Sequence, residues 1–387
     1  MSFSGASRNF YYPLSVLIGT IVGAGIFGLP YAFAKAGFGI GLLFLFFLAI
    51  ATLILHLSYG EVVLRTSQKH RLVGYVAMYL GPRWKQIAGI VAVLGMYGAL
   101  LAYTILGGEF LDIIFPFIPS LTPFHFSLIF FVLASLGVFT DIRTVARVEF
   151  LMVFFLIGVI LFLFLRSIPE LKPMNFLGLD AKNAFLPYGV ILFSLAGGAA
   201  IPELRDVIGG KSTKFKKVII FGTLIPAVLY LVFAVSVVGT SGSGTSEEAF
   251  RGLLPWFGSF VTFIGALFGV VAVFTSFLVI GINLKKVFWY DYGIPKILSW
   301  VLASGVPLIL FIAGLQSFIR IIALAGAVMG GMEGLLILAV HRKSKKMGDR
   351  SPEYSIGIPK LVFWGLCGMF AVGIIWQVFY FVQEYRS

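Results

Sequence analysis

Long apolar runs, separated by short polar, basic or glycine-rich stretches, account for most of the chain. They fall near residues 11–37, 39–63, 86–115, 123–140, 144–166, 184–208, 218–240, 257–284, 297–314, 318–341 and 360–383. Each approaches the roughly 20 residues that a helix needs to cross a bilayer. The pattern therefore predicts an all-α integral membrane protein with 11 transmembrane helices. The tightest division lies between the ninth and tenth runs, where GLQS at 314–317 alone supplies the turn. Two connecting stretches carry patterns of their own. Residues 70–86, HRLVGYVAMYLGPRWKQ, set apolar residues at helical spacing between basic ends and predict an amphipathic helix on the inner membrane surface. Residues 239–258, GTSGSGTSEEAFRGLLPWFG, predict a flexible Gly/Ser turn and then a short amphipathic piece outside.

Two of the apolar runs are interrupted. Within YYPLSVLIGTIVGAGIFGLPYAFAKAGFG, residues 11–39, Gly23, Gly25, Gly28 and Pro30 break the middle. From Tyr12 to Gly23 is about 11 residues, roughly 17 Å of helix, and from Gly25 to Gly37 about 12, roughly 18 Å. The break thus sits near the bilayer midplane. In LPYGVILFSLAGGAAIPELRDVIGG, residues 186–210, about 13 residues (roughly 20 Å) separate Gly198 from the basic Lys211, again placing glycines at mid-depth. Irregular backbone at that depth must line a cavity or be buried in protein. Two such runs in matching places point to the binding site of a secondary transporter. The broken runs are the first and the sixth. Five spans is an odd number, so the second set of five enters the membrane inverted. The chain reads as one transmembrane domain: repeat one about 11–166, repeat two about 184–341, and an accessory helix about 360–383.

The breaks carry the candidate chemistry. The amides of Ala24, Gly25 and Ile26, next to Ile21 and Gly23, would start the outer half-helix, and a helix N-terminus suits a carboxylate. Carbonyls left free around Phe193, Ser194, Ala196, Gly197 and Gly198 suit an ammonium. One donor cluster and one acceptor cluster match the zwitterion of an α-amino acid; the plainer reading is close helix packing at small residues. Tyr103, central in its span, could reach a carboxylate at the first break or simply bond a neighbouring carbonyl. Thr275 and Ser276, with carbonyls of Gly19 and Val22, would make an all-oxygen cation site, or bond back to their own helix. Intramembrane ionisable groups are functional candidates by default. His56, Glu203 and Glu333 could each carry a coupling proton. The alternatives are a bundle-bonded histidine for His56 and a helix cap or inner gate for Glu203, while Glu333 calls for an unnamed partner. Glu109 and Asp112 fall near the outer end of their span, and Glu61 and the pair Arg147 and Glu149 near the inner surface.

Charge fixes the orientation. Of 29 Lys and Arg, a cytoplasmic N-terminus leaves seven outside: Lys35, Arg166, Lys172, Lys182, Arg251, Arg320 and Arg386. The other 22 lie inside, which the positive-inside rule favours, and an odd span count sends the C-terminus out. The formal charge of +13 is spread over short loops between apolar runs, which argues against a nucleic-acid partner. The implied partners are the lipid bilayer and a small molecule, and no feature sets an oligomeric state. Four scattered histidines, one cysteine (Cys367), and the lack of a P-loop or GxSxG exclude the usual enzyme and metal signatures. No cofactor is expected beyond a coupling ion, proton or sodium.

At these residues the chain resembles a known family. GTIVGAGIFGLPYAFAKAGFGIG (19–41) is similar to the first span of the amino acid/auxin permease family, within the amino acid–polyamine–organocation superfamily. ALLAYTILGGEF (99–110), FSLAGGAAIPELRDVIGG (193–210), KFKKVIIFGTLIPAVLYLVFAVSVVG (214–239) and TSFLVIG (275–281) resemble its hydroxy and aromatic amino acid permease branch. The resemblance covers essentially the whole chain. It implies a leucine-transporter-type 5+5 inverted repeat with broken helices 1 and 6, amino-acid uptake by alternating access, and proton symport. That branch often has a polar or aromatic step where this chain has LAGGAA, 195–200, so a pocket rimmed by Leu195, Ala196 and Ala199 would accept aliphatic or bulky apolar side chains. Transport of another small zwitterion or amine, and a non-transporting sensor on the same fold, remain as alternatives.

Overall fold

The computed structural model describes residues 5–139, 142–208 and 214–384; Lys211 and Arg386 lie outside them. The described residues are helical almost throughout, with no strand. The first broken run forms α1 (Gly5–Ile21) and α2 (Gly25–Ala36), bent by 53°. Gly37, at φ 99°, turns the chain directly into α3 (Phe38–Arg65); a left-handed residue there favours glycine. There follow α4 (Leu72–Leu80), α5 (Pro82–Ile114), α6 (Pro123–Gly137) and α7 (Ile142–Ser167). The second broken run gives α8 (Leu186–Ser194) and α9 (Ile201–Ile208), joined by a short 3-10 turn. Then come α10 (Lys214–Ser241), α11 (Leu254–Lys286) and α12 (Lys296–Ile312). The last run but one is α13 (Phe318–Leu324) and α14 (Gly331–Met347), with a π-helical stretch at Ala325–Gly330 between them. α15 (Lys360–Glu384) closes the described chain.

Eight helical segments among the described residues are long and apolar enough to cross a membrane, and the bent α1/α2 pair makes a ninth. The 11 spans expected from the sequence also count α6 and α12, which are apolar but have only 15 and 17 residues. Both have firm boundaries. Thr122 caps α6 and Pro123 starts it, while Gly314 at φ 103° and the Ser317 cap separate α12 from α13 within the expected GLQS turn.

Two connecting stretches differ from the sequence expectation. In 70–86 the helix stops at Leu80, and Gly81 at φ 94° redirects the chain so that Arg83, Trp84 and Lys85 begin α5. Tyr75, Val76 and Tyr79 are buried, and α4 packs on α5 and α14 instead of floating on lipid. In 239–258 the flexible outer turn is instead a packed plug. Ala249, Phe250 and Leu253 are buried, and Ala249 holds φ at 71°, a strained value for a residue with a Cβ. Gly/Ser content suggested mobility, but the apolar residues that follow find partners on three helices.

Small residues set the close helix contacts, as expected where lipid removes the hydrophobic drive for association. A Cβ at Gly326 would come within 2.6 Å of the Phe193 amide, so the π-helical stretch lies directly on α8. A Cβ at Gly25 would meet Ser194 at 2.5–2.9 Å, so α2 starts against the end of α8. The two breaks are neighbours.

Candidate functional site

At the first break, Val22 N–H still donates to Ile18 O (2.8 Å) and Gly23 N–H to Ile21 O (2.9 Å). Ile26 N–H donates weakly to Gly23 O (3.4 Å) and Phe27 N–H to Ala24 O (3.2 Å). No described backbone carbonyl accepts from Ala24 or Gly25, the residues heading α2. Of the three expected amides, these two are the available donors, and Ile26 is partly engaged. Gly23 opens the face beside them: a Cβ there would lie 3.9 Å from both the Tyr103 hydroxyl and Ser276 Oγ. Tyr103 on α5 thus faces the break, as one of its two sequence readings requires. Tyr97, one turn and a half earlier, bonds Leu302 O (3.0 Å) and packs α5 on α12.

At the second break α8 stops at Ser194, where the sequence placed its end. Leu195 N–H donates to Ile191 O (2.9 Å), Ala196 N–H to Phe193 O (3.2 Å), and Ala200 N–H to Gly197 O (3.1 Å). The Ser194 hydroxyl donates back to Val190 O (2.8 Å). One residue absent from the sequence reading joins the two breaks. Tyr230, fully buried on α10, places its hydroxyl 2.8 Å from Ile21 O and 2.7 Å from Ser194 O. Those are the last carbonyls of α1 and α8.

Gly19, Val22, Thr275 and Ser276, the four residues read as a cation site, line one cavity together with Gly23 and Ala272. Phe27 and Phe268 with Met152, Val153 and Leu156 of α7 form its apolar wall. Its volume of about 20 Å³ has room for one or two water-sized occupants. Thr275 Oγ1 donates to Ala272 O (3.0 Å), the bond back to its own helix that the plainer reading expected. Ser276 Oγ makes no hydrogen bond among the described residues. The oxygens are all neutral, a set that fits a hard monovalent cation.

The three titratable candidates part company. His56 is buried and its Nδ1 lies 2.9 Å from Thr223 Oγ1, a bond inside the bundle. Its ring also faces the second break, since a Cβ at Gly197 would come 3.2 Å from His56 Cε1. Glu333 faces the next glycine: a Cβ at Gly198 would come 2.6 Å from its Oε1. The partner expected for Glu333 is not found; no described residue gives it a hydrogen bond or ion pair. Glu203 stands apart, with a side chain 61% exposed and 3.8 Å from Arg71. It lies in the first turn of α9, the position the helix-cap reading requires, and takes no hydrogen bond from a described residue.

Both ends are packed. At one end, Phe250 of the plug meets Phe27 at 5.8 Å, Phe110 at 5.9 Å and Phe233 at 6.4 Å between ring centres. Arg251 Nη2 holds Asp112 (2.9 Å) and Glu109 (3.2 Å) on α5, and Ile319 N–H at the start of α13 donates to Glu247 (3.3 Å). Burial pushes the Glu247 carboxyl above the usual carboxylate range. At the other end, Glu61 accepts from Arg65 (2.7 Å), His341 (2.9 Å), Ser355 (2.8 Å) and the Ile356 amide (2.8 Å), strapping the 348–359 loop across α3. Asp349 in that strap accepts from the Ser67 amide (2.8 Å), which holds its carboxyl below the usual range. Arg205 ties α9 to the end of α3 through Val63 O (3.0 Å) and Thr66 O (2.7 Å). The side chains of Arg147 and Glu149 lie outside the described residues.

Known proteins share this arrangement. The fold is similar to the crystal structure of MhsT in complex with L-phenylalanine: TM-score 0.64, 15% identity, 95% of this chain and 97% of that one covered. The architecture is therefore of the leucine-transporter type. In sequence the chain is 23% identical over 325 residues to Glutamine transporter 2 of Aliivibrio fischeri, covering 81% of this chain and 84% of that one. It is 25% identical over 287 residues to Tyrosine-specific transport system 1 of Haemophilus influenzae, covering 70% of each. Residues 7–376 match the tryptophan/tyrosine permease family. These relatives are carriers, not enzymes, and over nearly its whole length the chain belongs to the tryptophan/tyrosine permease family.

Proposed function

We propose that the protein imports an α-amino acid across the cytoplasmic membrane by symport with a monovalent cation, through alternating access. The observation that carries this reading is the convergence at the first break. One cavity gathers Gly19, Val22, Thr275 and Ser276, and Gly23 beside it faces both Ser276 and the Tyr103 hydroxyl. The substrate carboxylate meets the Ala24 and Gly25 amides and Tyr103. The ammonium meets the carbonyl edge from Phe193 to Gly198, where Phe193 O and Ser194 O each keep a second lone pair. Relatives named for tyrosine and glutamine, and a fold neighbour bound to L-phenylalanine, support a neutral amino acid. The basic-residue asymmetry supports a cytoplasmic N-terminus and an extracellular C-terminus, and the paired breaks support repeats about 11–166 and 184–341.

A second reading of the coupling ion rests on Gly197 and Gly198, which face His56 and Glu333. There the ion is a proton, as the family resemblance implies, and of the three titratable candidates the Glu333 carboxylate carries it. Uptake of a labelled amino-acid panel into liposomes, with sodium and pH gradients imposed separately, tests both. The cavity reading expects a sodium gradient at constant pH to drive accumulation. A pH gradient that suffices without sodium, and fails in Glu333→Gln, moves coupling to the second break. Binding without accumulation under either gradient leaves a sensor, and accumulation of an amine lacking the carboxylate replaces the substrate class.

A further inference from the structure

The two half-helices that end at the breaks, α1 and α8, bring their C-terminal carbonyls to a common point. Each end carries about half a negative charge from aligned peptide dipoles, and two such ends repel unless something positive lies between them. In carriers with broken helices, half-helix ends of this kind coordinate cations. Here both last carbonyls, Ile21 O and Ser194 O, lie within hydrogen-bond reach of one phenol oxygen, at 2.8 and 2.7 Å. The phenol belongs to Tyr230, on a third helix and wholly shielded from solvent. Its hydroxyl has one proton for two acceptors.

We propose that Tyr230 is a positioning residue of the transport site: its hydroxyl fastens the end of α1 to the end of α8 and fills the point where those paired carbonyls would otherwise hold a monovalent cation. The two breaks then move as one body, and cation binding is confined to the cavity of Gly19, Val22, Thr275 and Ser276. Tyr230→Phe leaves Ser194 O without a described donor and Ile21 O with only the Gly23 amide, so that each has a lone pair facing a vacant position for a hard cation such as sodium. The consequence for coupling rests on the transport reading; the tie itself does not.

The test is amide hydrogen exchange on the purified full-length protein without any amino acid, followed in peptides covering residues 22–26 and 195–200. In Tyr230→Phe, choline chloride buffer should raise exchange at both breaks about tenfold, the worth of one buried hydrogen bond. Peptides from α5 and α11 should keep wild-type rates. Sodium chloride at the same ionic strength should lower the variant's exchange at 195–200 severalfold more than it does in the wild type. Replacing Tyr230 by para-aminophenylalanine, whose amine brings two N–H donors, should restore wild-type exchange at both breaks. That variant also covers the case in which Tyr230→Phe does not fold. A rise at only one break, a rise spread equally over α5 and α11, sodium and choline acting alike, or an aminophenylalanine variant that behaves like Phe would each overturn the proposal. None of these readouts uses an amino acid, so a wild type that binds none would count against the transport reading and leave this one standing.

Discussion

Thr275 and Ser276 are adjacent on α11 and line the same cavity, yet their hydroxyls are differently placed. Thr275 already donates to Ala272 O at 3.0 Å, whereas Ser276 has no described hydrogen-bond partner and is 3.9 Å from the Gly23 Cβ position. A hydroxyl with nothing to give up loses more when its cation is taken away. Ser276→Ala should therefore raise the sodium concentration for half-maximal amino-acid binding by roughly tenfold, the value of one hydrogen-bond-scale contact. Thr275→Ala should raise it less. A sodium titration of ligand binding on the purified variants reads both, and unchanged midpoints would return the pair to packing within the helix. At this scale the glycines and the Thr-Ser pair were legible because each is costly in an apolar run without a reason. Tyr230 was not: a tyrosine in LVFAV-like surroundings says nothing about carbonyls 209 and 36 residues away along the chain. Glu333 was legible as a candidate, but its expected partner was inferred from cost alone, and the structure turns the carboxylate toward a glycine instead.

Among the elements, the plug between α10 and α11 departs furthest from what the sequence suggested. Its Gly/Ser content is that of a free turn, but four phenylalanines from four segments close over it: Phe27 on α2, Phe110 on α5, Phe233 on α10 and Phe250 on the plug itself. Such a layer is invisible along one strand of sequence, since every member looks like an ordinary membrane-facing aromatic. The broken helices, by contrast, were placed to within a residue or two, because glycine runs inside a span have few other uses. Phe250→Ala removes the keystone of the layer and should destabilise the protein by about 3–5 kcal/mol. It should also open the outer path. With Cys367 replaced by serine, a cysteine at Ser276 should react with an impermeant thiol reagent from outside severalfold faster in the Phe250→Ala background. Equal rates would show that the plug does not guard the site.

On the scale of the whole molecule, two neighbouring breaks lie between a packed phenylalanine layer at one end and, at the other, a face strapped by Glu61, Arg205 and the 348–359 loop. The sequence anticipated the all-helical fold and the two breaks. It did not anticipate how the ends are closed, because closure is made by loops whose contacts are long-range. If the paired breaks hold the amino acid through backbone, one substitution is enough to abolish binding. At position 25 any side chain must enter the 2.5–2.9 Å space now left to Ser194, and it would cover the free amides that head α2. Equilibrium binding of the labelled amino acid that the wild type accumulates should therefore be compared between purified wild type and Gly25→Leu, with size-exclusion profile and thermal melting as controls for folding. Backbone binding requires a single saturable site in the wild type and a loss of at least a hundredfold in affinity, about 2.7 kcal/mol, in the folded variant. Wild-type affinity in folded Gly25→Leu would contradict it and leave these glycines as helix-packing residues.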